Sequence, residues 1–335
     1  MSDKPKKLTK KDSVKKKTPA VKKSNPAKKS EKITPVPTPI KKSTKRSGFV
    51  AIIGRPNVGK STLLNYLIGE KLAGVSNKPQ TTRNPVRGIL SKPAGQIVFV
   101  DTPGLHKPQD KLGSWMMKEA DKALEGVDLL YWMVLPQPPH PYEDQIMELV
   151  RKLKIPTFLL VNQVDRYSKT AILPVLEHYS QLHPFAELIP ISAKTGEQMD
   201  LLLEKTFAAL PLAEPYFPED QISDQDERFI VTEIVREKLF HFTEQEVPYS
   251  TAIVIDEFKD RNDRLTDIQL TIIVEKDSQK AIIIGKQGEM LRQIGQAARY
   301  DIEMLIRKKV FLQIWVKTVP FWKTSPRALK DLGYQ

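Results

Sequence analysis

Residues 54 to 61 read Gly54-Arg55-Pro56-Asn57-Val58-Gly59-Lys60-Ser61, an uninterrupted Gly-x-x-x-x-Gly-Lys-Ser run between an apolar stretch, Phe49 to Ile53, and a helix opener at Thr62-Leu63-Leu64. That spacing cradles phosphate. The glycines let successive backbone N–H groups of Gly54, Val58, Gly59 and Thr62 face a β-phosphate, Lys60 reaches the β and γ oxygens, and the Ser61 hydroxyl is placed to ligate Mg²⁺.

Two later segments choose the base. The run Thr157 to Val161 delivers Asn162-Gln163-Val164-Asp165, and Leu188 to Ile191 delivers Ser192-Ala193-Lys194. The Asp165 carboxylate can accept from both the ring N–H and the exocyclic amine of guanine. Adenine offers neither donor, and a buried polar pair lost in this way discriminates by ~10⁴ or more. The Asn162 amide would hold neighbouring loops or the base edge, the Ala193 N–H can donate to the guanine carbonyl, and Lys194 covers a face of the ring. Either motif alone is weak, but both, in order and each after a strand, point to GTP and GDP.

A third segment, Asp101-Thr102-Pro103-Gly104, ends the strand Gln96 to Val100. Asp101 belongs in the second shell of the magnesium and the Gly104 N–H can bond a γ-phosphate, so the segment can sense whether that phosphate is present. Between lies Pro79-Gln80-Thr81-Thr82-Arg83, where one threonine supplies a second hydroxyl to Mg²⁺. Thr82 is favoured over Thr81, the alternative being an ordinary polar loop. Lys60, Thr82 and Gly104 are thus the candidate catalytic groups.

With these residues in place the chain resembles an Era-type GTPase. The likeness rests on Gly54 to Ser61, Gln80-Thr81-Thr82-Arg83, Asp101 to His106, Asn162 to Asp165, Ser192 to Lys194 and, in the last third, Gly285-Lys286-Gln287-Gly288; it covers roughly residues 47 to 333. It implies a guanine-nucleotide domain followed by a KH domain that binds the 3′ end of small-subunit ribosomal RNA and assists assembly of a 30S-type subunit. It also implies that Asn57 helps bind a K⁺ ion beside the phosphates; the alternative is that Asn57 only braces the loop. Gln163 departs from the family, which usually has lysine there, so weaker nucleotide binding is expected. Leu105 agrees with the family and stands where many switch GTPases carry a water-orienting glutamine. Intrinsic hydrolysis should therefore be slow and rest on positioning and charge.

Two other readings stay open: an RNA-binding module whose nucleotide site only stabilises the fold, and a related GTPase that acts on another RNA.

The formal charge of +13 is unevenly placed. Residues 1 to 46 hold sixteen lysines and Arg46 against Asp3, Asp12 and Glu31, an excess of fourteen, so the rest of the chain carries −1. This stretch is too poor in apolar residues to fold alone. It can grip RNA by counterion release, touch an acidic membrane surface peripherally, or simply stay solvated. It lacks both the arginines of a transit peptide and the apolar core of a secretory signal, and no stretch of the chain is long and apolar enough to span a bilayer. Zero cysteines exclude disulfides and thiolate chemistry and fit a cytoplasmic location. Nothing indicates an oligomer, so a monomer is expected.

The elements that must position these groups divide in two. Residues 47–212 alternate continuous apolar strands with amphipathic helices, Lys60 to Ile68, Lys111 to Leu124 and Tyr142 to Leu153 among them. They predict an α/β P-loop GTPase domain, doubly wound on a mostly parallel sheet. Trp132 and Met133 fall in a strand, Leu129 to Leu135, and read as core; His140 reads as surface. Residues 213–227, rich in proline and acid, read as a linker. Residues 228–335 predict a smaller α+β domain of type II KH topology: helix Arg228 to Phe242, strands Ser250 to Phe258 and Ile268 to Glu275, the Gly285 to Gly288 turn, helix Glu289 to Ile306 and strand Val310 to Val316. Gly285, Lys286, Gln287, Gly288 and Arg292 are the candidate RNA contacts, since two glycines admit a nucleic-acid backbone and the helix start offers N–H groups to phosphate. Arg299 and Arg307-Lys308-Lys309 either follow that backbone or form a solvated face. Trp315 and Trp322 could stack on bases, but Trp315, sharing a face with Phe311, reads as core.

Overall fold

The computed structural model describes residues 43–104, 108 and 110–334. The lysine-rich segment up to residue 42, and with it Leu105 and His106, lies outside the described residues. The first part of the chain runs β1 (Arg46–Ile53), α1 (Lys60–Ile68), β2 (Val86–Lys92), β3 (Gly95–Asp101), α2 (Lys111–Ala123), β4 (Leu129–Val134), α3 (Pro141–Leu153), β5 (Thr157–Val161), α4 (Lys169–Leu182), β6 (Glu187–Pro190) and α5 (Met199–Ala209). The second runs α6 (Glu227–Phe242), β7 (Ala252–Asn262), β8 (Leu265–Val274), α7 (Asp277–Ile284), α8 (Glu289–Ile306), β9 (Lys309–Thr318) and α9 (Pro326–Asp331).

The large sheet has the order β2-β3-β1-β4-β5-β6, antiparallel between β2 and β3 and parallel elsewhere. Its central strand β4 is buried at every position because both faces are covered. In β4, Leu129, Tyr131 and Met133 face one core while Leu130, Trp132 and Val134 face the other. The sequence reading of Trp132 and Met133 as interior holds. The loops after β1, β3, β5 and β6 all leave the carboxyl ends of parallel strands, the edge at which open α/β sheets bind ligands.

The proline-rich stretch before α6 is tied to the edge of the large sheet rather than hanging free. The Gln96 amide accepts from the N–H groups of Tyr216 and Phe217 at 2.8 and 2.9 Å, and Ile89 N–H donates to Ile222 O at 2.8 Å. His140, read as surface, is half-buried and caps α3: its Nδ1 accepts from Tyr142 N–H at 3.2 Å, and Glu143 returns a bond to the His140 N–H at 2.9 Å. This is a capping box.

The small sheet has the order β7-β8-β9, antiparallel then parallel. Val310, Leu312, Ile314 and Val316 of β9 join the core under α6 and α8. Period two then sends Phe311 and Trp315 to the opposite face, where they are 47% and 46% exposed. This corrects the reading of Trp315 as core: the two aromatics do share a face, but it is a half-exposed one. Trp322 is the converse. It is fully buried, its Nε1 donates to Ser250 O at 3.1 Å, and it cannot stack on a base.

Candidate functional site

The phosphate loop is built for close approach. Gly59 has φ 103°, and a Cβ there would lie 2.3 Å from the Asn162 Nδ2; Gly54 has φ 149° and a Cβ would meet Met133 O at 2.6 Å. Only glycine suits both places. Lys60 is buried, and its Nζ donates to Gly54 O and Arg55 O at 3.2 Å each, bridging its own loop. Burial lowers the Lys60 pKa from its ordinary value, with the charge on Asp101 opposing.

Three oxygen groups converge at the start of α1. Ser61 Oγ donates to Asp101 Oδ2 at 2.6 Å and lies 3.0 Å from Thr82 Oγ1, which is itself 3.4 Å from Asp101 Oδ2. Thr81 turns away and bonds Ser76 Oγ at 2.6 Å and Lys78 O at 3.0 Å within its own loop. The geometry therefore favours Thr82 of the two. Burial pushes the Asp101 carboxyl up to about 6, against the pull of Lys60 and the Ser61 hydroxyl. Gly104 borders the same small cavity, of about 50 Å³, where a Cβ on it would touch Pro56 at 3.0 Å.

Beside it opens a cavity of about 470 Å³ lined by Gly59, Thr62, Asn162, Gln163, Asp165 and Lys194, among others. Asn162 ties the site together: Nδ2 donates to Val58 O at 2.7 Å and Oδ1 accepts the Ala193 N–H at 2.9 Å. Of the two expected tasks for Asn162, holding loops is the one seen. The Ala193 N–H has a partner already, so a guanine carbonyl would have to share or displace that bond. Ser192 Oγ donates to Asp165 Oδ1 at 2.7 Å and aims the carboxylate, which is exposed. Gln163 stands at φ 68° and accepts weakly from Arg166 at 3.3 Å. Asn57, at φ 64°, donates to Asn77 O at 2.6 Å and so braces the segment that precedes Thr82.

In the second part, Gly285 (φ 73°) and Gly288 (φ 79°) flank the exposed Lys286 and Gln287, and Gly288 opens α8. A Cβ at Gly285 would come within 2.6 Å of Met290. From this turn a groove of about 440 Å³ runs along α8 and β9, with Leu291, Leu312 and Ile314 in its lining and Arg292 and Arg299 among its polar groups. The cations of 307–309 are each ion-paired instead: Arg307 with Glu70 at 3.6 Å, Lys308 with Asp260 at 2.7 Å and Lys309 with Glu303 at 3.1 Å.

A family model described as a 50S ribosome-binding GTPase matches residues 49–163, and one described as a KH domain matches residues 246–323. GTPase Era of Geobacter metallireducens is 50% identical over 291 residues, covering 86% of this chain and 98% of that protein. The chain belongs to the Era GTPase family. GTPase Era of Ruminiclostridium cellulolyticum is 45% identical and covers 87% of this chain and 98% of its own length. Two solved Era structures superpose with a TM-score of 0.83 at 39% identity, each covered to 99%: a point variant from Aquifex aeolicus bound to GDP and AlF₄⁻, over 86% of this chain, and Era in complex with MgGDPNP and nucleotides 1506–1542 of 16S ribosomal RNA, over 87%. As a member of that family, the protein is a P-loop GTPase with a KH domain, an enzyme that hydrolyses GTP.

The Ser61, Thr82 and Asp101 oxygens suit Mg²⁺, a hard cation that prefers oxygen ligands. Asp101 Oδ1 is moreover buried without a hydrogen-bond partner, an acceptor that a hydrated cation would satisfy. Three residues that the sequence does not announce, Lys78, Arg83 and Glu237, join residues 75–83 to α6 and to the turn before β7. Their partners lie more than 160 residues away, beyond any local pattern.

Proposed function

We propose that this Era-family GTPase reads the terminal phosphate of GTP at Thr82 and Gly104 and passes that state to a KH groove holding the 3′ end of small-subunit ribosomal RNA, in the service of 30S-type subunit assembly. Asp165, aimed by Ser192, selects guanine; Asn162 and Gln163 shape the base cavity with Ala193 and Lys194; Gly54, Val58, Gly59, Lys60 and Thr62 surround the phosphates. Ser61 and Thr82 would hold Mg²⁺, with Asp101 behind them. The ion's charge supplies electrostatic stabilisation of the phosphates when bound, and Lys60 adds a second positive charge beside them. Gly285 to Gly288 and Arg292 would meet the RNA.

One observation carries the coupling. Val75 lines both nucleotide cavities, and its N–H donates to Glu237 of α6 at 2.9 Å. A segment that contacts the nucleotide site is thus bonded directly to the RNA-binding part. Coupling free energy is reciprocal. The affinity of a 3′-terminal small-subunit RNA oligonucleotide should therefore differ between protein loaded with a non-hydrolysable GTP analogue and protein loaded with GDP; equal affinities would leave only a structural nucleotide site.

The same reading gives Asn57 a K⁺ ion beside the phosphates, and turnover that is equal in K⁺ and Na⁺ buffers would remove it. It takes the protein as a monomer of the cytoplasm. The lysine-rich tail adds a polyanion contact, with RNA as its first partner and an acidic membrane face as the second; loss of RNA affinity, or of flotation with anionic vesicles, on deleting residues 1–42 separates the two.

A further inference from the structure

Arg83 follows the metal-site threonine in sequence, yet its side chain is fully buried. Its guanidinium donates to three main-chain carbonyls of the turn that leads into β7: Thr251 O, Pro248 O at 3.2 Å and Tyr249 O at 3.4 Å. Nearby, the Tyr334 ring packs against Trp115 and Trp322. The same segment is held at two further points. Lys78 Nζ donates to Phe240 O at 2.8 Å and Thr243 O at 2.5 Å where α6 ends, and Val75 N–H donates to Glu237, which also pairs with Lys71 at 2.6 Å.

Residues 75–83 are therefore clamped along α6 and the 248–251 turn, and most of the acceptors are backbone carbonyls. A carbonyl moves only when its backbone moves. The position of Thr82 Oγ1, 3.0 Å from Ser61 Oγ, is thereby set from outside the nucleotide site. We infer that Arg83 is a positioning residue for GTP hydrolysis: by gripping the 248–251 turn it places the Thr82 hydroxyl beside Ser61, so a shift of the KH part carries Thr82 with it. The inference rests on the proposal that Thr82 serves Mg²⁺.

GDP has no γ-phosphate for residues 75–83 to meet, so its binding is the internal control. Full-length Arg83→Ala, Arg83→Lys, Lys78→Ala and Thr82→Ala would be titrated with fluorescent GDP and a fluorescent non-hydrolysable GTP analogue over a Mg²⁺ series, with hydrogen exchange followed on residues 75–83. For Arg83→Ala the expected result is analogue binding weakened about tenfold or more with a similar rise in the Mg²⁺ midpoint, GDP binding changed less than about threefold, and faster exchange confined to residues 75–83. Arg83→Lys, which keeps a cation but not the fork, should recover part of the analogue affinity. Equal losses for GDP and analogue, or exchange accelerated through β1 and α8 as well, would reduce Arg83 to a structural role and overturn the inference.

If Arg83→Ala does not fold, Lys78→Ala carries the test, with a loss of about threefold for the analogue alone; no loss overturns it. If Thr82→Ala leaves the Mg²⁺ midpoint and hydrolysis unchanged, the metal-site proposal itself falls. If Thr82→Ala is damaging and Arg83→Ala is not, the metal site stands and only the role of Arg83 is lost.

Discussion

Asn162 donates its amide to the carbonyl of Val58 at 2.7 Å, across 104 residues of chain, and in doing so locks the base-reading loop onto the phosphate loop. The other end of the same amide takes the Ala193 N–H, so one buried side chain fixes three loops. Asn162→Ala leaves a carbonyl and an N–H unpaired in a buried place, each costing about 1–3 kcal/mol. GDP affinity should fall about 10- to 100-fold, measured by fluorescence titration, with a lowered melting temperature in the nucleotide-free protein. Asn162→Asp, which keeps the acceptor toward Ala193 but loses the donor toward Val58, should fall between.

Asp165 tests base choice separately from base affinity. Its carboxylate, aimed by Ser192, would accept from guanine; an asparagine amide would instead donate, and the base that presents a carbonyl where guanine has its amine is xanthine. Asp165→Asn should lose about 10²-fold or more in GDP affinity and gain a comparable preference for XDP. Competition of both nucleotides against a fluorescent probe decides it, and an unchanged order of affinities would mean that Asp165 does not face the base.

How far these sites were legible follows from where their signals lie. The phosphate loop and the two base-reading motifs are local, and each stands at the end of an apolar strand, so sequence alone located them. In α8 the helical repeat is long enough to place both ends, Glu289 and Ile306. Eight-residue α7 is not legible, because it is too short for a period and ends in three β-branched isoleucines. In β2 the alternation is broken at Gly88, needed where a Cβ would meet Ile68 and Leu64 at 2.7 and 2.8 Å. The face presented by Trp315 and the burial of Arg83 depend on which elements cover them, and that is tertiary information.

Asp101 should make nucleotide loading pH-dependent. Its carboxyl is pushed up to about 6 from 3.8, so the stabilisation that comes from keeping it neutral is complete below about pH 4 and is lost as pH rises through about 6. Mg²⁺ favours the carboxylate, so loading should release a proton: about half a proton at pH 6 and almost none at pH 8. Calorimetric titration of MgGDP in two buffers of different ionisation enthalpy measures this directly. Asp101→Asn should abolish the release.

Gln163 lines the base cavity, and its side-chain oxygen accepts from Arg166 at 3.3 Å. A lysine there would lay a longer apolar stem along the purine face. Gln163→Lys should tighten GDP binding about three- to tenfold with dissociation slowed by the same factor. An unchanged dissociation rate would show that the glutamine already covers the ring.

Arg292 lies on the exposed face of α8 within the groove that also takes in Gly288, Leu312 and Ile314, and under the proposed function it would meet a nucleic-acid backbone rather than a base edge. Such a contact acts through counterion release, so its removal weakens every RNA alike and flattens the salt dependence. Arg292→Ala should lower the affinity for a 3′-terminal small-subunit RNA oligonucleotide about five- to thirtyfold and reduce the slope of log K against log salt by about 1, followed by fluorescence anisotropy between 50 and 200 mM KCl. Arg327, exposed on α9 away from the groove lining, supplies the comparison: Arg327→Ala should leave the slope as it is. If both substitutions flatten it equally, attraction to RNA is spread over the whole basic surface and the groove has no special part in it.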